Sequence, residues 1–420
     1  MLEGNKKLQY LSTFIVEFSV VASGFVQYRL AAQLSNEGDF ELFALLKRIL
    51  GFSLPLFILG LGVALPRYIA ISSSKVISNT YFTSGILIVI GSFLGGLTII
   101  SIIPNHISLL IFNDNSFSNW ILPLFLLTFG YICHSIMYNY FRGNHWWLEA
   151  NLIQFVNLGL APIIFFLITE DLLFIIYGMS YFYFLVFLGF VVYLIKHKIL
   201  VKPKSMQSKY LFDLLKFGFQ RLFGDILLGA FFLIPALVVT HSNGILEGGK
   251  VAFALTFINI AGAALGPVSI ILLPDVAKLI KEKDFIRISL LHKKVTYFSI
   301  FFGIGSLLIF FITADTLIPM VFDTNSLEII YFSKVLFIAV IGYTFYILLR
   351  SFNDALNSKA YNSLNILFGF ILFIIISKQN LFLNEYSETV KIIIAFILGH
   401  SLLGCLTYIT SKRLIKKLYQ

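Results

Sequence analysis

Long apolar stretches recur along the whole chain, separated by short polar or Pro- and Gly-bearing breaks. They fall near residues 10–32, 49–66, 81–103, 120–141, 148–168, 172–195, 211–239, 251–276, 295–313, 328–349, 361–377 and 390–411. A helix needs about 20 apolar residues to cross a hydrocarbon core of ~30 Å. The pattern therefore predicts twelve crossings. Runs such as "FGFILFIIIS" are apolar on every face, which argues for spanning helices; barrel strands alternate apolar and polar positions over ~10 residues. The expected fold class is all-α integral membrane, with twelve transmembrane helices.

Composition agrees. Of 420 residues, 58% are hydrophobic and 12% charged, with a mean hydropathy of +0.90, so water is not the main solvent of the folded chain. The placement of charge then orients the spans, because cytoplasmic loops hold the excess of Lys and Arg. If odd-numbered spans run outward, 22 of the 31 Lys and Arg residues fall in inner loops and tails, among them Arg67, Lys75, Arg142, Lys196, Lys278, Arg350 and Lys412. Acids gather in the opposite loops, at Glu37, Asp39, Glu41, Glu170, Asp171, Asp315, Asp323 and Glu328. Both termini are expected on the cytoplasmic side. The net charge of +10 then reflects topology and attraction to anionic lipid of the bilayer, and no nucleic acid is expected as a partner.

Several kinds of chemistry receive no support. Cys133 and Cys405 lie in apolar runs without Cys or His at ligand spacing, so neither a disulfide nor a metal is expected. Lys6 and Lys7 before an apolar run ending in "VASGF" resemble a secretory leader, but Glu17 in mid-run opposes cleavage and predicts a retained first helix. Trp120, Trp146 and Trp147 sit at run ends, where aromatic belts form. No phosphate-binding Gly-rich lysine motif and no Ser-His-Asp arrangement is present. No cofactor and no enzymatic activity are expected, and the short outer loops disfavour a membrane polymerase or transferase.

The longest basic break, "KHKILVKPKSMQSK", separates six runs from six and predicts domains at 1–200 and 201–420. A constant offset of 208 residues pairs Pro66 with Pro274, Arg142 with Arg350 and Asn157 with Asn365, which points to a duplicated six-helix unit. The same offset places Glu17 on Asp225. Each half thus carries an acid in its first span. A charge at the helix centre costs ~2.5 to 3.5 kcal/mol on insertion scales, so each needs a partner, a hydrated cavity or a route to the interface. Glu17 lies about seven residues, or ~10 Å, from the end of its run; Asp225 lies about 14 residues from either end.

Arg221 precedes Asp225 by four and shares its helix face. The two form either a local neutralising pair or an anion site beside a coupling-ion site. Gly24 and Tyr28 share the face of Glu17 and could complete a cavity-lining stripe. Arg29, Lys47 and Arg48 are basic residues toward the outer side. They either reach external headgroups or hold a negative head group after its passage, and Lys216 and Lys334 fit either role. His134 reads as a hydrogen-bonded core histidine before a proton relay. Arg142 and Arg350 close helices at their C-termini, with diphosphate capture as a secondary role.

Twelve spans in two halves, "GLGVALPRYIA" ending the second span and "YNYFRGNHWWLEANLIQ" across the fourth and fifth resemble the Wzx-type O-antigen and polysaccharide flippases of the multidrug/oligosaccharidyl-lipid/polysaccharide exporter superfamily. That resemblance covers nearly the whole chain. It implies a V-shaped pair of six-helix bundles around a central cavity in a bacterial cytoplasmic membrane, moving undecaprenyl-diphosphate-linked oligosaccharide outward by alternating access driven by protons or sodium ions. Other polysaccharide-assembly proteins are admitted as partners. Arg29, Arg48 and Arg221, with Lys47 and Lys216, match the anion-binding role, and Glu17 and Asp225 the coupling role. A cation-coupled multidrug exporter of the same superfamily is the alternative.

Overall fold

The computed structural model describes residues 6–199, 208–324, 326–356, 360–378 and 387–419, and no strand occurs among them. The first half of the chain forms α1 (Lys6–Ala31), α2 (Asp39–Ile58), α3 (Leu61–Ala70), α4 (Lys75–Ile102), α5 (Pro104–Phe112), α6 (Ile121–Gly143), α7 (Trp147–Gln154), α8 (Ala161–Ile168) and α9 (Leu172–Lys196). The second half forms α10 (Ser208–Asn243), α11 (Ile245–Lys281), α12 (Phe285–Phe322), α13 (Leu327–Phe337), α14 (Val340–Leu356), α15 (Tyr361–Lys378) and α16 (Glu388–Lys417). Short polar side chains set several helix starts. Ser74, Asp171, Asp284, Ser326 and Ser387 each accept a hydrogen bond from a backbone N–H of the first turn.

Among the described residues, ten helical segments are long and apolar enough to cross a membrane, and up to twelve when each of two bent pairs counts as one span. Their order follows the twelve apolar runs. Several spans extend beyond those runs, and two are bent. The second begins at Asp39, not near residue 49, and bends by 47° between α2 and α3; the tenth bends by 46° between α13 and α14. At the first bend Leu59 and Gly60 are left-handed, with φ of 53° and 73°, and the backbone closes on Gly218 of α10. A Cβ on Gly60 would lie 2.5 Å from Gly218 Cα. The second bend has no Pro or Gly. There, Ile338, Ala339 and Ile341 donate to carbonyls three residues back, a local 3-10 tightening that swings the axis.

The chain divides into two compact units, Met1–Leu222 and Phe223–Gln420. The division falls inside α10, between Leu222 and Phe223, whereas the sequence places it in the basic stretch near residue 200. Leu214 is fully buried in the first unit's core, with Tyr210, Leu211, Leu215 and Phe217 packed beside it. In each unit the fourth span is the most enclosed helix: α6 packs against α2, α3, α4, α7 and α9, and α14 against α11, α12, α15 and α16. Small residues permit this in lipid, where close van der Waals approach stands in for hydrophobic drive. A Cβ on Gly342 of α14 would stand 2.2 Å from the His400 carbonyl oxygen of α16.

Candidate functional site

The enclosed fourth span of each unit carries a tyrosine and, one turn later, an arginine: Tyr138 and Arg142 on α6, Tyr346 and Arg350 on α14. A spacing of four puts both on one face. In the first unit the Tyr138 hydroxyl donates to Glu17 Oε1 at 3.2 Å, and Arg142 Nη1 donates to that hydroxyl at 3.4 Å. The Arg142 guanidinium also lies 5.3 Å from the Tyr138 ring centre and 5.5 Å from that of Trp147. In the second unit Arg350 is hydrogen-bonded to the Tyr346 hydroxyl and lies 5.6 Å from its ring centre. The Asp225 carboxylate is within electrostatic reach of that hydroxyl. Glu17, Tyr138 and Arg142 therefore recur as Asp225, Tyr346 and Arg350, all three at the offset of 208.

Sequence reasoning found the acids and the arginines but missed both tyrosines. The same offset relates Tyr138 to Tyr346 and was signal enough. With 20 Tyr in the chain, neither stands out as a residue type.

Behind Glu17 lies a buried polar chain. Gln154 Nε2 faces both Glu17 oxygens at 3.5 Å, and Gln154 Oε1 is 2.9 Å from His134 Nε2. Asn157 Nδ2 is 3.1 Å from His134 Nδ1, and the Tyr183 hydroxyl donates to the Asn157 carbonyl at 2.9 Å. The amide orientations make His134 a neutral ring that donates from Nε2 and accepts at Nδ1. His134 is thus a hydrogen-bonded core histidine. Between Gln154 and Ala161 the fifth span runs as a π-helix, Phe155–Leu160, which turns Asn157 inward; such bulges recur at functional sites.

A second polar string crosses α1 further along. Lys47 Nζ donates to Gln27 Oε1 at 2.8 Å, Gln27 Nε2 to Ser23 Oγ at 3.1 Å, and Ser23 Oγ to the Gly159 carbonyl at 2.6 Å. Lys47 also lies 5.4 Å from the Phe43 ring centre, beside a small pocket lined by Phe43, Leu127, Tyr131 and Met179 among others. Lys47 is half-buried and Arg48 is buried, both well inside α2, not at an outer loop, because that helix starts ten residues earlier than its apolar run. Arg29 is exposed on the last turn of α1.

Other expectations need correction. Arg221, in the first unit, stacks on Phe217 at 5.2 Å, and Asp225, in the second, lies within electrostatic reach of Tyr346. Tyr28 does not line an open stripe with Glu17; it is buried edge-on between Phe40 and Phe43. Lys334 pairs with Asp315 at 2.6 Å, and Lys250 pairs with Glu247 and Glu328. Lys216, by contrast, is exposed, and among the described residues no carboxylate lies within 4 Å of Lys216 or Arg221. No group of three or more His, Cys, Asp or Glu residues that could hold a metal occurs among the described residues.

No protein-family model matches the chain, and no curated protein matches it in sequence. Solved structures do. The inward-facing conformation of a multidrug resistance MATE family transporter of the MOP superfamily aligns with a TM-score of 0.73 and 12% identity, over 98% of this chain and 99% of that one. A MOP superfamily transporter from Pyrococcus furiosus, described as having a binding pocket of reversed polarity, gives 0.68 and 12% over 99% and 97%. An outward-facing MATE transporter gives 0.62 and 14% over 99% and 97%. At such identities the likeness is one of fold, and it extends end to end: this chain has the all-α architecture of a twelve-helix membrane transporter.

Proposed function

We propose that this protein belongs to the MOP superfamily and moves undecaprenyl-diphosphate-linked oligosaccharide from the inner to the outer leaflet of a bacterial cytoplasmic membrane. Transport proceeds by alternating access coupled to protons or sodium ions and serves O-antigen or other surface polysaccharide synthesis. One observation carries the reading. Each intramembrane acid is answered within its own unit by a tyrosine and an arginine, while Lys216 and Arg221 stand exposed with no carboxylate within 4 Å among the described residues. A diphosphate carries about two negative charges and cannot pass hydrocarbon without cations to meet it. A carrier of organic cations needs the opposite balance. The Pyrococcus furiosus transporter supports this, since its binding pocket is described as reversed in polarity, suggesting a different function.

Glu17 and Asp225 are the coupling sites in this account. Binding of a proton or cation at either carboxylate releases Tyr138–Arg142 or Tyr346–Arg350 from it and biases one conformation over the other. The second reading, a cation-coupled multidrug exporter, is favoured by the structural likeness to multidrug resistance MATE transporters. Complementation separates the two. In a strain lacking its polysaccharide flippase, the wild-type gene restores surface polysaccharide and leaves ethidium tolerance unchanged; raised ethidium tolerance without polysaccharide, across several sugar types, would establish the exporter instead.

A further inference from the structure

Arg67 and Arg221 converge on one aromatic ring. The Arg67 guanidinium carbon lies 4.4 Å from the Phe217 ring centre and that of Arg221 lies 5.2 Å from it. The two come from different elements, the last turn of α3 and the first half of α10, and both belong to the first unit. Measured through the shared ring centre, the two carbons are at most about 10 Å apart. Both arginines are exposed, and among the described residues neither has a carboxylate within 4 Å. Lys216, exposed and adjacent in sequence to Phe217, adds a third cation with no carboxylate within 4 Å among the described residues.

The platform under this pair is built. Tyr68 meets Phe217 edge-on at 6.0 Å and stacks on Tyr81 at 4.8 Å. The Tyr81 hydroxyl donates to Asp213 Oδ2 at 3.0 Å, and Tyr210 packs edge-on against Tyr81 at 4.9 Å. Asp213, the nearby acid, is therefore engaged by Tyr81. The contact of Gly60 with Gly218 fixes α10 against the bend one residue from Phe217. Two like charges held together repel, and each could have taken an aromatic partner of its own; an anion between them converts the repulsion into attraction.

We propose that Arg67, Phe217 and Arg221 form a capture site for a diphosphate group at the inner membrane boundary. It rests on the reading of the substrate as a lipid-linked diphosphate and gives that substrate its entry point. The dimensions agree: hydrogen bonds of ~2.8 Å put a guanidinium carbon about 4 Å from a phosphorus, so one phosphate joins carbons about 8 Å apart and a diphosphate slightly more. Arg suits this better than Lys, because its planar fork meets phosphate oxygens in pairs while its face rests on a ring.

The test is binding of undecaprenyl diphosphate to the full-length protein in nanodiscs, with thermal stability checked for each variant. Arg67→Ala and Arg221→Ala each weaken binding tenfold or more, and the double variant is no more than slightly worse than either single one. Arg→Lys at either position retains part of the affinity, and Phe217→Leu weakens it several-fold. Inorganic diphosphate competing as strongly as the lipid would keep the site and make its ligand the free anion. Phosphatidylglycerol competing equally would reduce the site to a general contact with anionic lipid and overturn the proposal, as would both alanine variants binding within twofold of wild type. The two readings fail separately. Loss of binding in the variants of a protein that does not translocate lipid-linked sugar upholds the site and removes the transport reading; unchanged binding in a protein that does translocate removes the site alone.

Discussion

The first unit and the second hold the same three groups and surround them differently. Glu17, Tyr138 and Arg142 are backed by Gln154, His134 and Asn157, and the fifth span breaks into a π-helix to place Asn157. Asp225, Tyr346 and Arg350 sit in a different setting among the described residues. Their fifth-span counterpart, α15, is an uninterrupted α-helix, and Asn362, the residue that the offset of 208 pairs with Gln154, turns to the Arg350 carbonyl and Asp354 instead. One repeat position explains much of this. His134 corresponds to Gly342 at the offset of 208, and a side chain at Gly342 has no room beside the His400 carbonyl. One fourth span gave this position to a polar relay; the other gave it to close helix packing.

That contrast ranks the acids. Glu17→Gln, which removes the carboxylate joined to the buried chain, should lower gradient-driven transport by about 100-fold, and Asp225→Asn by about 10-fold, measured as initial rates at equal protein in liposomes. Equal losses would mean that the backing chain has no functional part. Exchanging the repeat position itself comes next. His134→Gly leaves the Gln154 carbonyl and the Asn157 amide unpaired and opens a cavity, and should cost about 2–4 kcal/mol of stability. Gly342→Ala should cost about 1–3 kcal/mol by forcing α14 from α16. Thermal unfolding in detergent followed by tryptophan fluorescence checks both, and an unchanged midpoint for either would remove its half of the comparison.

Smaller effects sharpen it. Tyr138→Phe deletes the hydroxyl that joins Glu17 to Arg142, and Tyr346→Phe the hydroxyl bonded to Arg350 within reach of Asp225, each worth about 0.5–1.5 kcal/mol. Transport should fall several-fold in each, with the greater loss in the first unit. Asp225→Glu, which lengthens an exposed carboxylate by one methylene, should stay within about threefold of wild type.

Much of the architecture was legible. Hydropathy gives twelve spans in order because a ~30 Å apolar slab demands long apolar runs, and the net bias of Lys and Arg follows the same constraint. The bends were not legible. The second needs neither Pro nor Gly, and the first depends on a glycine meeting another 158 positions away, Gly60 against Gly218. Lys47 and Arg48 lie deeper in a helix than the apolar run suggests for a related reason: Asp39 and Glu41 open α2 as polar first-turn residues, so the run understates the helix. Within the site, the constant offset exposed Glu17, Asp225, Arg142 and Arg350. The partnership of His134 with Gln154 and Asn157 is a product of packing between α6 and the π turn, which no spacing in the chain announces.

The central claim is ion-coupled movement of a lipid-linked diphosphate sugar. Its most direct test is translocation of undecaprenyl-diphosphate-linked oligosaccharide in proteoliposomes under an imposed proton or sodium gradient, comparing wild type with Glu17→Gln. The account predicts that one gradient accelerates transfer between leaflets by the wild type and that the variant loses the acceleration. Transfer indifferent to both gradients, or no transfer alongside gradient-driven ethidium efflux, would contradict it.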